Sequence, residues 1–125
     1  PVEVMVDHGH TPVGAEPAEG YPFGWAGDAV DWAPMIAALL AGGEPAERAS
    51  ARFHATLVEM MVAVAKREKI PDVCLSGGCF QNRRLLAGAE RRLEAEGFRV
   101  WRHREIPPND AGICLGQLAV AAGRA

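Results

Sequence analysis

From residue 31 onward, apolar residues recur at the three- and four-residue steps of helices, interrupted by two short runs with strand character. Asp31 stands where a capping residue belongs. Trp32, Met35, Ile36, Leu39 and Leu40 follow at helical spacing, and Gly42-Gly43 ends the run. A second helix is predicted from about Pro45 to Lys69, with the stripe Ala49, Phe53, Leu57, Met60, Met61 and Val64. Lys66, Arg67 and Lys69 suit its C-terminal end, where the helix dipole favours cations. Asp72 to Leu75 reads as a short buried strand. A third helix is expected from about Gln81 to Glu96, with Leu85, Leu86, Ala89 and Leu93 facing inward and Gly97 as its stop. Phe98 to His103 alternates apolar and polar positions and reads as a second strand. After the stiff Pro107-Pro108-Asn109-Asp110 loop, Ala111 to Ala122 is small and apolar nearly all round, which predicts a last helix buried between other elements.

The predicted order is α-α-β-α-β-α. Two β–α units imply a parallel strand pair joined by a helical crossover. Two strands are too few for an independent sheet. Completion is expected from the N-terminal segment, a partner chain or a further part of a parent protein. Residues 1–27 differ from the rest in their density of Gly and Pro. Val2, Val4 and Val6 alternate with Glu3 and Met5 as in a short strand, and the remainder reads as an irregular connection. The division expected is therefore an irregular segment, 1–27, and a lobe, 28–125.

Composition narrows the class. Apolar residues make up 49% of the 125, enough for a core, so disorder by composition is excluded. A formal net charge of −3 gives no reason to expect nucleic acid or an anionic membrane as a partner. No apolar run approaches the ~18 residues of a membrane span, and no secretory signal pattern is visible. The first residue is Pro, which leads to the expectation of a piece of a longer chain or a processed product. Cys74, Cys79 and Cys114 are odd in number, lack a C-x-x-C pair and lie in or beside apolar stretches. Reduced, buried thiols in a cytoplasmic protein are expected, not a disulfide framework or a zinc site.

The stretch richest in chemistry is Leu75-Ser76-Gly77-Gly78-Cys79-Phe80-Gln81-Asn82. A strand that ends in a Gly pair and opens a helix brings bare backbone N–H groups close to a ligand, and the dipole there favours negative charge. The competing reading is a tight β–α turn that uses Gly for its geometry alone. His54, beside Phe53 on the second helix, is read as a structural histidine. The His8-Gly-His10 pair is poor evidence for a metal at its i, i+2 spacing. Cys79 is not read as a nucleophile, and Arg83, Arg84, Arg91 and Arg92 are read as a solvated helix face.

Several stretches together resemble a known family. They are Leu75-Ser76-Gly77-Gly78-Cys79-Phe80-Gln81-Asn82-Arg83, then Gly97-Phe98-Arg99-Val100, then Ile106-Pro107-Pro108-Asn109-Asp110-Ala111-Gly112-Ile113 leading into Leu115-Gly116-Gln117. Upstream, Asp31-Trp32-Ala33-Pro34 and Ala51-Arg52-Phe53-His54-Ala55-Thr56-Leu57 also fit. In this order and spacing, residues 20–125 resemble the C-terminal end of the HypF carbamoyltransferases of [NiFe]-hydrogenase maturation.

The resemblance implies an α/β fold, a partial actin-like ATPase (ASKHA) lobe similar to the TsaD-type tRNA-modifying proteins. It implies formation of carbamoyl-adenylate from carbamoyl phosphate and ATP, and transfer of the carbamoyl group to the C-terminal cysteine of a HypE-like acceptor on the way to a cyanide ligand. The family's glycine-rich nucleotide contact falls on Ser76, Gly77 and Gly78, its nucleotide-facing Asn on Asn82, and its metal ligand in this lobe on Asp110. The metal (Zn, Fe or Mg) would be shared with a first lobe whose histidine pair is not in this sequence. No catalytic residue is assigned, and the chain by itself is expected to be inactive. Asp110 and Asn109 also suit a helix cap, Gly112 a packing contact, and Asn82 a bond to its own turn. Ala111 stands where the family often has Gly. Two other readings are kept: a non-catalytic module that dimerises through an exposed sheet edge, and a TsaD-like tRNA-modification component.

Overall fold

A computed structural model describes residues 19–123, and the expected strand at Val2–Val6 and the His8/His10 pair lie outside them. The chain divides into two compact units at Met61/Val62.

The first unit opens with strand β1 (Gly24–Ala26) paired antiparallel with β2 (Ala29–Asp31). Gly27, at φ +62°, supplies the positive dihedral that the two-residue turn needs. The segment read as irregular to residue 27 therefore ends in a strand, and a boundary at residue 28 would cut the hairpin. Helix α1 (Ala33–Ala41) starts where expected: Asp31 Oδ1 accepts from the Ala33 N–H at 3.0 Å. It ends at Gly42, φ +67°, whose N–H donates to the Leu39 carbonyl. Of its predicted stripe only Met35 is buried, and Trp32 and Leu40 are exposed. The helix is apolar on nearly every face, so periodicity could not select the inward one.

Helix α2 (Ala46–Glu68) likewise has two apolar faces. Its buried positions are Ala51, Thr56, Val58, Val62 and Ala65, whereas the predicted stripe from Ala49 to Val64 is half-buried or exposed. Thr56, fully buried, is held by its own chemistry: Oγ1 donates to the Arg52 carbonyl and accepts from the Tyr21 N–H, both at 2.7 Å. The Arg52 guanidinium lies 4.1 Å from the Tyr21 ring centroid and donates to the Glu19 and Gly20 carbonyls and to Glu44. The Tyr21 hydroxyl also donates to Glu44. That hydrogen bond and the Arg52 charge hold the Glu44 carboxyl below its usual range, while the carboxylate pushes the Tyr21 hydroxyl up.

In the second unit, β3 (Asp72–Leu75) pairs in parallel with β4 (Arg99–Arg102), the register running from Asp72↔Arg99 to Leu75↔Arg102. Helix α3 (Arg83–Ala95) makes the crossover. Three of its four expected inward positions, Leu85, Ala89 and Leu93, are buried, joining Val62, Ala65 and Leu75 among the buried apolar residues of this unit, and Leu86 is half-buried. Gly97, φ +88°, ends it with a Schellman pair, its own N–H donating to the Glu94 carbonyl and the Phe98 N–H to that of Leu93. The positive φ is why Gly stands there.

Three expectations fail here for one reason. β3 is not a buried strand, since only Leu75 is covered. All three cysteines are exposed. Helix α4 (Ile113–Ala122) has no buried residue, and Ile113, Leu115, Leu118 and Val120 are each about half exposed or more. The parallel sheet has two strands among the described residues, as the two β–α units implied, and the hairpin forms a sheet of its own without completing it. Apolar patterning reports what a sequence would cover, and among the described residues that cover is lacking.

The arginines of α3 differ from one another. Arg83 and Arg91 are exposed, Arg92 pairs with Glu96 at 2.7 Å, and Arg84 carries a buried Nη1 with no hydrogen-bond partner among the described residues. Glu96 also meets Lys66 at 2.6 Å, and Lys66 and Arg92 together hold its carboxyl low. On the strand pair, Asp72 accepts from Trp101 Nε1 at 2.9 Å and Arg99 Nη2 at 2.6 Å, which depresses its pKa in that order of effect.

Candidate nucleotide-binding site

Buried Leu75 anchors the end of β3, and the chain leaves the sheet at Ser76. Gly77 comes next at φ +109°, ψ 156°, a conformation essentially reserved for glycine. Its N–H donates to the Pro108 carbonyl at 2.8 Å, which ties the end of β3 to the Pro-rich loop after β4. The chain does not enter α3 directly. Gly78–Gln81 is a four-residue 3-10 turn, closed by the Phe80 N–H to the Gly77 carbonyl and the Asn82 N–H to the Cys79 carbonyl. Only at Asn82 does α3 begin.

These bonds revise the expected donors. The Gly77 N–H is spent on Pro108. The Gly78 and Cys79 N–H groups have no acceptor among the described residues and are the backbone donors that remain at the start of this turn. Nor does the Gly pair sit at the positive end of a long helix, since the intervening turn separates it from α3. A Cβ built on Gly78 would lie 3.9 Å from Asn109 Cβ, so the two stretches face each other across a gap that one side chain would begin to fill.

Asn82, placed by the resemblance on the nucleotide side one turn into the helix, is its N-cap. Its Oδ1 accepts from the N–H groups of Arg84 and Leu85 at 3.0 and 3.1 Å. That oxygen is committed to α3. Asn109 plays the same part in the loop: its Oδ1 accepts from the Ala111 N–H, and its carbonyl accepts from the Gly112 N–H. Gly112 is a packing position, because a Cβ there would come within 3.1 Å of the Pro107 carbonyl oxygen and 3.3 Å of the Ile106 side chain. Asp110 begins a 3-10 turn and is exposed. No group of three or more metal-ligating side chains exists among the described residues. Asp110 therefore offers one carboxylate, and these residues alone do not make a metal site.

Between the two stretches lies an open cavity of about 390 Å³, lined by Ser76, His103, Pro108, Asn109, Gly112 and Gly116 among others. His103 was not expected here. Its Nε2 lies 2.9 Å from Ser76 Oγ. The signal was present in the parallel pairing. Leu75 sits opposite Arg102, so the next residue on each strand, Ser76 and His103, must emerge side by side. The other histidine among the described residues, His54, makes structural contacts: its Nδ1–H donates to the Ser50 carbonyl at 2.8 Å and the ring packs edge-on to Phe53.

The parallel β–α–β unit is tied at the end of β3 to the Pro-rich loop, with a cavity beside them. The fold has solved counterparts. A full-length HypF in its phosphate- and nucleotide-bound form superposes with a TM-score of 0.70 at 33% identity, over 86% of this chain and 16% of that one. The HypF of T. kodakarensis gives 0.63 at 21% identity over 82% of this chain, a likeness of fold. The class is thus a partial actin-like α/β lobe. Residues 7–117 match the family model described as carbamoyltransferase, Kae1-like domain, second subdomain, and the chain belongs to that family. Among curated relatives, carbamoyltransferase HypF of Synechocystis sp. is 43% identical over 72% of this chain and 12% of its own length. HypF2 of Cupriavidus necator is 41% identical over 90% of this chain and 15% of its own. The chain thus spans a small fraction of the length of the relatives it matches. No described helix is long and apolar enough to cross a membrane.

Proposed function

We propose that this chain supplies the second lobe of a HypF-type carbamoyltransferase and carries one wall of its nucleotide site. The observation that carries the reading is the tie between the end of β3 and the Pro-rich loop. The Gly77 N–H to Pro108 bond holds Ser76 on one side of a cavity and Asn109 on the other. The Ser76 hydroxyl that lines this cavity, with the unpaired Gly78 N–H two residues further along the chain, suits the phosphoryl oxygens of ATP. A relative solved with phosphate and nucleotide bound, 33% identical to this chain, supports the same reading.

In the complete enzyme the lobe would serve carbamoyl-adenylate formation from carbamoyl phosphate and ATP, followed by carbamoyl transfer to the C-terminal cysteine of a HypE-like partner. This chain's share is to bind and orient the nucleotide. Alignment of this kind lowers a barrier only when both walls are present, so the isolated lobe binds weakly and does not turn over. Asp110 would contribute one carboxylate to a divalent metal completed by residues outside this chain. The setting of such an enzyme is cytoplasmic.

Titration of the isotope-labelled chain with ATP, followed by NMR, tests the reading. Shifts concentrated at Ser76–Gly78 and Asn109–Gly112 are expected, with a dissociation constant in the millimolar range. Absence of shifts there at saturating ATP refutes it.

A second reading is favoured by the exposed apolar side chains of α4. In it the lobe is a non-catalytic module that self-associates. Light scattering separates the two, since a strict monomer at high concentration removes the second.

A further inference from the structure

We propose that His103 is a positioning residue of the nucleotide site, one that turns the Ser76 hydroxyl outward as a hydrogen-bond donor to a phosphoryl oxygen. The inference rests on the reading of the cavity as a nucleotide site and adds to it a residue and a protonation state. Ser76 Oγ and His103 Nε2 lie 2.9 Å apart at the mouth of the same cavity, carried there by the paired ends of β3 and β4.

A serine hydroxyl has one proton, and the partner that accepts it decides what the oxygen can still do. If His103 Nε2 is bare, the Ser76 O–H donates to it, and Oγ offers the cavity only lone pairs, which repel a phosphoryl oxygen. If Nε2 carries the proton, the imidazole donates to Oγ, and the Ser76 O–H is released to donate into the cavity. That hydroxyl is then a side-chain donor at the end of β3, on the wall of the cavity. Only the Nε2–H form of His103 fits an anionic ligand. The hydrogen bond that the other ring nitrogen makes, or an imidazolium, determines that form. His103 acts through Ser76 and need not touch the ligand.

The test uses the 125-residue chain with ATP and, separately, inorganic phosphate as probes. Four variants are compared: S76A, H103A, S76A/H103A and H103Q. S76A and H103A are each expected to weaken binding about tenfold, the scale of one hydrogen bond to a charged group. The double variant is expected to be no weaker than either single one, because the two residues act as one donor. H103Q, whose side-chain amide also donates, is expected to keep most of the affinity. Imidazole ¹⁵N shifts of the wild-type chain with ATP bound are expected to show a protonated Nε2.

Multiplying effects in the double variant, unchanged binding by H103A, or no rescue by H103Q would each overturn the inference while leaving the site intact. A bare Nε2 in the bound wild-type chain overturns it without recourse to any variant. Failure of the wild-type chain to bind either probe overturns the site itself, and the inference with it.

Discussion

Gly77→Ala isolates the backbone's part in building the site. At φ +109°, ψ 156° the residue occupies a region that L side chains scarcely enter. A Cβ there would meet nothing closer than Cys79 Sγ at 4.0 Å, so the cost of alanine is conformational, with no collision to confuse it. Holding a non-glycine residue in such a region costs about 1–3 kcal/mol. If the chain relaxes instead, it gives up the 2.8 Å bond from the Gly77 N–H to Pro108, worth about 1 kcal/mol net. Either route destabilises the second unit by roughly 1–3 kcal/mol, and at ~4–8 °C per kcal/mol for a domain of this size the shift is easily measured. Gly78→Ala is the control. Gly78 has no positive φ, and its Cβ would sit at an ordinary 3.9 Å from Asn109. Its stability should match wild type or exceed it by a few tenths of a kcal/mol through loss of unfolded-state freedom. Urea unfolding followed by circular dichroism compares all three. Gly77→Ala within about 0.5 kcal/mol of wild type would refute the claim that this dihedral is held by glycine alone.

Gly78→Val should leave unfolding nearly unchanged yet abolish ATP-analogue binding, because a branched side chain would fill the gap toward Asn109; unaltered affinity by NMR titration would remove Gly78 from the site. Thr56→Val keeps shape but strands the buried Tyr21 N–H, and should cost about 1–3 kcal/mol by denaturant unfolding. Glu44, Asp72 and Glu96 all have folded-state pKa values below their ordinary ones. Their contribution is complete above the unfolded carboxylate pKa of about 4 and is lost as pH falls through the lowered folded values, so the melting temperature should drop below roughly pH 4. Asp72→Asn should flatten that drop and alter Trp101 fluorescence, since the Trp101 Nε1 donates to Asp72; an identical acid profile would argue against the assigned pairing.

Local signals carried far along this chain where the physics is local. Asp31 and Gly42 bound α1, and Gly97 ends α3 with the dihedral that its lack of a side chain permits. The single-sided stripe of α3, Leu85, Ala89 and Leu93, was legible because its other faces are charged. The α1 and α2 faces were not, because apolar residues line more than one side and only packing partners choose between them. The apolar composition of α4 predicted burial and the structure shows none, because composition does not name what would cover a helix, and its side chains stand largely in solvent here.

The site divides the same way. The turn after β3 was readable because Gly77 holds a dihedral that only glycine tolerates. The motif order from residue 75 to 117 was enough to place the chain in its family. Which groups remain free to act was decided by tertiary structure alone. The Gly77 N–H is consumed by the carbonyl of Pro108, far along the chain, Asn82 turns its oxygen to its own helix, and His103 meets Ser76 only because two parallel strands end in register. Hydrogen-bond satisfaction is a property of neighbours in space, and a linear sequence lists the donors without saying which of them are already taken.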